Sequence, residues 1–235
     1  MGFINVKRLY YFFFSMLLIL LMVQGCNEES TSSQTQSQPE KKIEGTIVAV
    51  GDSLTEGLGV EEEDAYPAVL EKKLQAQGYP YRVINAGISG ETSSGTLSRT
   101  KWVLTLKPDI AILVIGANDG FRGIDPALIK SNIRRIIQAL KDHNVVVVLG
   151  GMRIVQNLGQ EYASAFAAVY PEVAASEDVI FIPFFLEGVA ADPGLNQSDG
   201  IHPTAEGYRK VVDHIYPYVK RAIDKHHETT KQSPQ

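Results

Sequence analysis

The sequence Thr46-Ile-Val-Ala-Val-Gly-Asp-Ser-Leu54 joins a short run of β-branched and apolar residues to a glycine, an acid and a serine. The run Thr46–Val50 predicts a β-strand covered on both faces, because a strand with one face in water would alternate with polar residues. Gly51 permits a tight turn directly after this strand. Ser53 is therefore predicted to lie where a strand ends and a helix begins.

Strand and helix patterns alternate along the rest of the chain. Four further short apolar runs predict strands: Tyr81–Ile84, Ile110–Ile115, Val145–Leu149 and Val179–Pro183. Helical spacing predicts the helices Ala65–Gln77, Thr96–Leu106, Ala127–Lys141, Tyr162–Ala175 (with a break allowed at Pro171) and Ala205–Asp224. Buried strands that alternate with helices form parallel sheets with right-handed crossovers. We therefore expect a three-layer, flavodoxin-like α/β domain with a five-stranded parallel sheet in the order 2-1-3-4-5. The active crevice of such a sheet lies outside the carboxyl ends of its strands.

Composition excludes several classes of protein. Of the 235 residues, 44% are apolar and 21% are charged, which suits a globular protein rather than a disordered or collagen-like chain. The net charge of −5 argues against a nucleic-acid partner, which would require a basic face. Cys26 is the single cysteine, so neither an intramolecular disulfide nor a cysteine-based zinc site can form.

The amino terminus has the pattern of an export signal. Lys7 and Arg8 precede the apolar run Leu9–Val23, which is shorter than the roughly 20 residues that span a bilayer. The following Val23-Gln-Gly-Cys26 resembles the bacterial lipobox, in which the cysteine receives a diacylglycerol and becomes the first residue of the mature chain. An unprocessed membrane anchor, or a plain signal peptide with an incidental cysteine, would also fit this pattern.

These features predict the organisation of the chain. Residues 1–25 form a lipoprotein signal peptide, 26–43 a disordered polar tether, 44–225 the folded domain and 226–235 a polar tail. Such a protein would lie in a bacterial cell envelope, anchored through lipid on Cys26 to the periplasmic or extracellular side of a membrane. Outside the motifs, Trp102 is expected in the core and His214 is expected to be structural or exposed. His226 and His227 fall in the predicted tail and do not suggest a metal site.

Four motifs fall at predicted strand ends or just before the last helix, and each has a structural interpretation as well as a chemical one. Ser53 could be a nucleophile at a helix amino terminus or a helix cap. Gly87, in Asn85–Gly90, could direct its N–H at an oxyanion or serve a turn, and so could the Asn118 side chain in Gly116–Gly120. Asp199 and His202 could be the orienting acid and base of a catalytic triad, or a turn residue and a solvated histidine.

Taken together, the motifs favour the chemical interpretation. Ser53, Asp199 and His202 supply a nucleophile, an orienting acid and a base. The Ser53 N–H, the Gly87 N–H and the Asn118 side chain supply three candidate oxyanion donors.

This set of motifs resembles the SGNH (GDSL) hydrolases, whose four blocks are a GDS(L) serine, a glycine, a GxND asparagine and a DxxH pair. The strings AGISGETSSG (86–95), GANDGFRG (116–123), GMRIVQNLG (151–159) and FLEGVAADPGLNQSDGIHP (185–203) are similar to the TesA-like branch of arylesterases, acyl-CoA thioesterases I and lysophospholipases L1. The resemblance implies a serine esterase, acting on carboxylic esters and on thioesters through an acyl-enzyme, with neither metal nor cofactor. A monomer is expected.

Apolar loop residues are candidates to contact the acyl chain: Met152, Ile154, Phe184, Phe185 and Leu186. Core packing is the alternative for each of them.

Other functions are distinguished by other motifs. A classical α/β-hydrolase would need G-x-S-x-G around its serine, and a dinucleotide-binding domain would need G-x-G-x-x-G after the first strand; both motifs are absent there. A carbohydrate O-deacetylase shares the four blocks and stays open. A non-catalytic lipoprotein that binds acyl chains or glycans is a further alternative that stays open.

Overall fold

A computed structural model describes residues 43–154 and 158–232 of the protein. The predicted signal peptide, Cys26, the tether up to residue 42 and residues 233–235 of the predicted tail lie outside the described residues.

The described chain forms a five-stranded sheet between two sets of helices. The strands are β1 (Gly45–Gly51), β2 (Tyr81–Gly87), β3 (Ile110–Val114), β4 (Val146–Gly150) and β5 (Ile180–Ile182). They are parallel and lie in the order β2-β1-β3-β4-β5, which confirms the predicted topology.

The helices are α1 (Ser53–Glu56), α2 (Tyr66–Ala76), α3 (Ser93–Thr105), α4 (Ala117–Phe121), α5 (Pro126–Lys141), α6 (Gln160–Glu177) and α7 (Ala205–Gln232), with a 3₁₀ turn at Glu62–Asp64. Helices α3, α5 and α6 pack in one layer, while α2 packs with α7. None of the helices in the described part of the chain combines the length and apolar character needed to cross a membrane.

The register of the three central strands brings their carboxyl ends to one edge. Gly51, the last residue of β1, pairs with Gly87 of β2 and with Val114 of β3. Glycine is required at two of these positions because the backbones approach closely. A Cβ on Gly51 would lie 2.3 Å from the Val114 carbonyl oxygen, and one on Gly87 would lie 2.1 Å from the Glu56 nitrogen. Helix α1 therefore lies directly against the ends of β1 and β2.

Some local predictions differ from the structure. Helix α6 continues through Pro171 without a break, because its inner residues Phe166, Val169 and Val173 are buried in the core, which offsets the lost hydrogen bond. The prediction that Trp102 lies in the core is wrong: its side chain is 50% exposed, with the Arg99 guanidinium over the ring. In α3 the buried residues include Thr96, Thr100 and Val103, so the helical period turns Trp102 outward.

The carboxyl-terminal residues also differ from their prediction as a polar tail from residue 226. Helix α7 continues to Gln232, and the buried Tyr81 hydroxyl lies 2.8 Å from His226 Nδ1 and 3.1 Å from His227 Nε2. Two adjacent histidines read as polar in the sequence, but here they dock the end of α7 on the first residue of β2. His214 also has a structural role, since its Nε2 lies 2.9 Å from the Phe184 carbonyl oxygen.

We predict that Tyr81→Phe lowers the free energy of unfolding by about 1–2 kcal/mol, because it removes the hydroxyl that both histidines share. Urea unfolding followed by circular dichroism measures this change. Tyr79→Phe is the matched control, since the Tyr79 hydroxyl makes no hydrogen bond to the described residues. Equal effects of the two substitutions would contradict the docking role of His226 and His227.

Candidate active site

Ser53 is the first residue of α1, immediately after the turn that ends β1. Asp52 caps the helix, its Oδ1 accepting a hydrogen bond of 3.1 Å from the Leu54 N–H. The Ser53 N–H makes no hydrogen bond to the described residues. A free backbone N–H beside the hydroxyl can bind negative charge that develops next to it.

His202 joins the serine to an acid. Its Nε2 lies 2.8 Å from Ser53 Oγ, and its Nδ1 lies 2.7 Å from Asp199 Oδ2. The Asp199 carboxylate accepts the hydrogen on Nδ1, so Nε2 is the free acceptor for the serine hydroxyl. Ser53, His202 and Asp199, predicted from separate motifs, are therefore in direct contact.

The Asp199 carboxylate is held in a local turn. Its Oδ1 also accepts the backbone N–H groups of Ile201, at 2.9 Å, and of His202, at 3.0 Å. The His202 N–H is the largest cause of a pKa lowered to about 2, followed by the hydrogen bond to the His202 ring and the Ile201 N–H. Asp199 stays ionised at any pH at which the imidazole can act as a base.

Gln197 fixes the loop that carries His202. Its side-chain amide donates to the Leu58 carbonyl at 2.7 Å and to the Pro203 carbonyl at 3.0 Å, while its N–H donates to the His202 carbonyl. This residue ties the histidine loop to the segment just after α1. The sequence did not predict this role of Gln197, because a glutamine within a loop matches no recognisable motif.

The two remaining oxyanion candidates are already hydrogen-bonded within the protein. The Gly87 N–H donates to Asn85 Oδ1 at 3.0 Å. Asn118 Nδ2 donates to the Glu91 carbonyl at 3.0 Å and to Asp52 Oδ2 at 3.3 Å. Gly87 ends β2 and Asn118 lies in α4, directly after β3, so both are at the strand ends where their motifs were predicted to lie. A substrate oxygen would have to share or replace the present acceptors.

Asp52 is a buried acid for which the sequence predicted no chemical role. Its side chain faces both α1 and the Asn118 amide. Burial raises its pKa to about 6, although hydrogen bonds and the nearby His202 oppose that shift. Many small polar residues can cap a helix, so nothing in the motif indicates that this carboxylate is desolvated.

The predicted acyl-contact residues divide into two groups. Met152, Phe185 and Leu186 are buried in the core, which favours core packing for them. Ile154 and Phe184 are only partly buried; a Cβ on Gly120 would touch Ile154, and the Arg153 guanidinium lies 4.8 Å from the Phe184 ring centre.

Exposed apolar side chains lie within or directly after the site motifs, and the sequence did not predict their exposure. Ile88 follows Gly87, Phe121 ends the helix of Asn118, and Ile201 precedes His202. Apolar residues within loops cannot be assigned to core or surface from periodicity. No cluster of three or more histidine, cysteine or acidic side chains among residues 43–154 and 158–232 is arranged to hold a metal ion.

The chain is similar to known hydrolases in both sequence and structure. Residues 49–210 match the GDSL-like Lipase/Acylhydrolase family. Esterase TesA of Pseudomonas aeruginosa is 39% identical over 176 residues, which cover 74% of this chain and 88% of the relative. Thioesterase 1/protease 1/lysophospholipase L1 of Escherichia coli K12 is 37% identical over 169 residues, covering 72% and 80%. The crystal structure of TesA superposes with a TM-score of 0.73 at 39% identity, covering 75% of this chain and 99% of that one.

Asp52 should give the stability of the protein a specific pH dependence. Its pKa is 3.8 when unfolded and about 6 when folded, so between these values the native state holds a proton that the unfolded state has released. Relative to Asp52→Asn, the wild type should therefore lose about 3 kcal/mol of unfolding free energy as the pH rises from about 4 to about 6. Chemical denaturation of wild type and Asp52→Asn across this range tests the point. Parallel pH profiles for the two proteins would contradict the raised pKa.

Proposed function

The chain belongs to the GDSL-like lipase/acylhydrolase family and is a serine esterase, and we propose that Ser53, His202 and Asp199 carry its reaction. One observation carries this proposal: a single imidazole lies 2.8 Å from the Ser53 hydroxyl and 2.7 Å from the Asp199 carboxylate. These distances suit proton transfer in one direction and orientation of the base in the other.

The geometry supports an acyl-enzyme mechanism. His202 Nε2 takes the Ser53 proton while Ser53 Oγ forms a bond to the substrate carbonyl carbon, whose π electrons move onto oxygen. The tetrahedral intermediate collapses, and the imidazolium protonates the leaving alkoxide or thiolate. Water then attacks the acyl-enzyme with His202 again as the base, which releases the acid and returns the proton to Ser53. Asp199 stabilises the imidazolium in both halves of the cycle.

The oxyanion is proposed to bind to the Ser53 N–H, the Gly87 N–H and the Asn118 side-chain amide. The Ser53 N–H makes no hydrogen bond to the described residues. The Gly87 N–H donates to the neutral Asn85 side-chain oxygen, and the Asn118 amide donates to the Glu91 carbonyl and, at 3.3 Å, to Asp52. An alkoxide is a stronger acceptor than a neutral amide oxygen, so it can displace Asn85 Oδ1 from the Gly87 N–H. These bonds form fully only when charge develops on the substrate, and such bonds accelerate the reaction rather than merely bind the ester.

The substrate class is proposed to be acyl esters and thioesters, including lysophospholipids. The names of the relatives include esterase, arylesterase, thioesterase and lysophospholipase. The partly buried side chains of Ile154 and Phe184 are proposed to contact the acyl chain, over the buried Met152, Phe185 and Leu186.

The location is proposed to be a bacterial cell envelope, with the enzyme held to a membrane through lipid on Cys26. The basic residues, the apolar run Leu9–Val23 and the lipobox-like Val23–Cys26 support this proposal. A diacylglycerol supplies two chains, which is enough for stable anchoring where one chain is not.

Ester hydrolysis tests the chemistry. For residues 40–235, we expect hydrolysis of p-nitrophenyl esters from acetate to palmitate to peak at medium or long chains, and Ser53→Ala to lower kcat by about 10⁴-fold or more. Ser98→Ala is the matched control, since Ser98 is exposed and donates only to the Gly95 carbonyl. Activity confined to acetate would instead favour a carbohydrate O-deacetylase. Equal rates for wild type and Ser53→Ala would contradict the proposed triad.

Membrane attachment is tested with the full chain in a bacterial host that processes lipoproteins. The wild type should incorporate labelled palmitate and sediment with membranes. Cys26→Ser should incorporate no palmitate, and its esterase activity should persist, because the signal region lies outside the catalytic domain. Palmitate incorporation that survives Cys26→Ser would contradict the lipid anchor.

A further inference from the structure

A nearly buried ion pair lies beside the candidate site and takes no part in the proton transfers. The Arg99 guanidinium of α3 donates hydrogen bonds to the Glu91 carboxylate, from Nε to Oε1 at 2.7 Å and to Oε2 at 2.9 Å, and from Nη2 to Oε2 at 2.6 Å. The two side chains are 13% and 8% exposed. Thr96 donates a further hydrogen bond to Glu91. Desolvating such a pair costs most of what its attraction returns, so stability alone is a weak reason for its presence.

Arg99 also contacts the backbone that leads to two oxyanion candidates. Its Nη2 donates to the Ala86 carbonyl at 2.8 Å and lies 3.4 Å from the Gly51 carbonyl. The Ala86 carbonyl belongs to the same peptide group as the Gly87 N–H. In a planar trans peptide the C=O and N–H point in opposite directions, so holding the carbonyl fixes where the Gly87 N–H points.

Glu91 contacts the other candidate donor through its main chain. Its carbonyl oxygen accepts the Asn118 side-chain N–H at 3.0 Å. The carboxylate of the same residue is held by Arg99, so one ion pair connects to both the Gly87 peptide and the Asn118 amide.

We propose that the Glu91–Arg99 pair positions the oxyanion hole, Arg99 by fixing the Ala86–Gly87 peptide and Glu91 by fixing the Asn118 amide. The inference rests on the proposed function of these two donors. The positively charged Arg99 guanidinium, by donating to the Ala86 carbonyl, also polarises the peptide, which makes the Gly87 N–H a stronger donor. Neither residue touches the substrate; both are positioning residues.

In this position one nitrogen of the Arg99 guanidinium is left without a hydrogen bond to the described part of the chain. Its Nη1 is buried and has no hydrogen-bond partner among the described residues. An unsatisfied buried donor is unfavourable, and such groups in native proteins call for a functional explanation. The contact with the Ala86 carbonyl provides one.

The test compares an oxoester with the matching thionoester, in which sulfur replaces the carbonyl oxygen. Sulfur accepts weaker hydrogen bonds, so a well-oriented oxyanion hole favours the oxoester. We expect Arg99→Met to lower kcat for p-nitrophenyl butyrate by at least about tenfold with little change in KM, since losing one donor entirely costs about 100- to 1000-fold. The oxoester-to-thionoester ratio of kcat should fall by a similar factor. Loss of structure alone would slow both substrates equally.

Three further variants sharpen the result. Asn118→Ala removes a proposed donor and should lower the ratio at least as much. Arg134→Met breaks another arginine–carboxylate pair, with Glu177 (3.1 Å) between α5 and α6, and should leave kcat and the ratio unchanged. Arg99→Lys keeps the charge but lacks the two-nitrogen fork, so its ratio should fall between those of wild type and Arg99→Met. Arg99→Lys decides the matter if Arg99→Met does not fold.

Two outcomes separate this inference from the proposed function. If Asn118→Ala lowers the ratio while folded Arg99→Met and Arg99→Lys keep the wild-type value, the positioning role is overturned and the oxyanion assignment stands. If Asn118→Ala also keeps the wild-type ratio, the oxyanion assignment is overturned, and the role of Arg99 with it.

Discussion

The hydrogen bond of 2.8 Å between Ser53 Oγ and His202 Nε2 joins two residues that are 149 positions apart, and the chemistry of the protein depends on it. A serine hydroxyl is a weak nucleophile unless a base accepts its proton at contact distance. A parallel sheet brings segments that are distant in the sequence close together, because the carboxyl ends of its strands share one edge. The Gly51–Gly87 pairing then lets α1 lie against that edge, where Gln197 ties the histidine loop to it.

Groups that do not favour stability are concentrated at this same edge. Asp52 is a carboxylate with its pKa raised by burial, and Arg99 has an unpaired buried nitrogen. The Gly87 N–H and the Asn118 amide are satisfied by internal acceptors, but a substrate oxygen must share or replace those acceptors during the reaction. The core beneath is conventional, with β1, β3 and β4 almost wholly buried. A core of this kind provides stability that can offset the unfavourable groups at the site.

Much of the architecture could be predicted from the sequence, because each strand is a short buried run and each motif is local. Asp199 and His202 are three residues apart, so one turn holds the acid against the base. What the sequence did not reveal depends on contacts between distant segments. The burial of Asp52, the docking of His226 and His227 on Tyr81, and the internal partners of Asn118 all arise from tertiary packing. Trp102 is apolar, but its position in the helical period of α3 turns it outward.

The central claim is that Ser53 is the nucleophile and His202 its base. The most direct measurement is covalent labelling by an aryl phosphonate ester, which is attacked at phosphorus by an activated serine, followed by peptide mass mapping. The account predicts stoichiometric phosphonylation at Ser53 in wild type, with a rate strongly reduced in His202→Gln. It predicts no label on Ser89, whose N–H donates to Glu56 at the end of α1. An unlabelled wild-type protein, or a label at another serine, would contradict it.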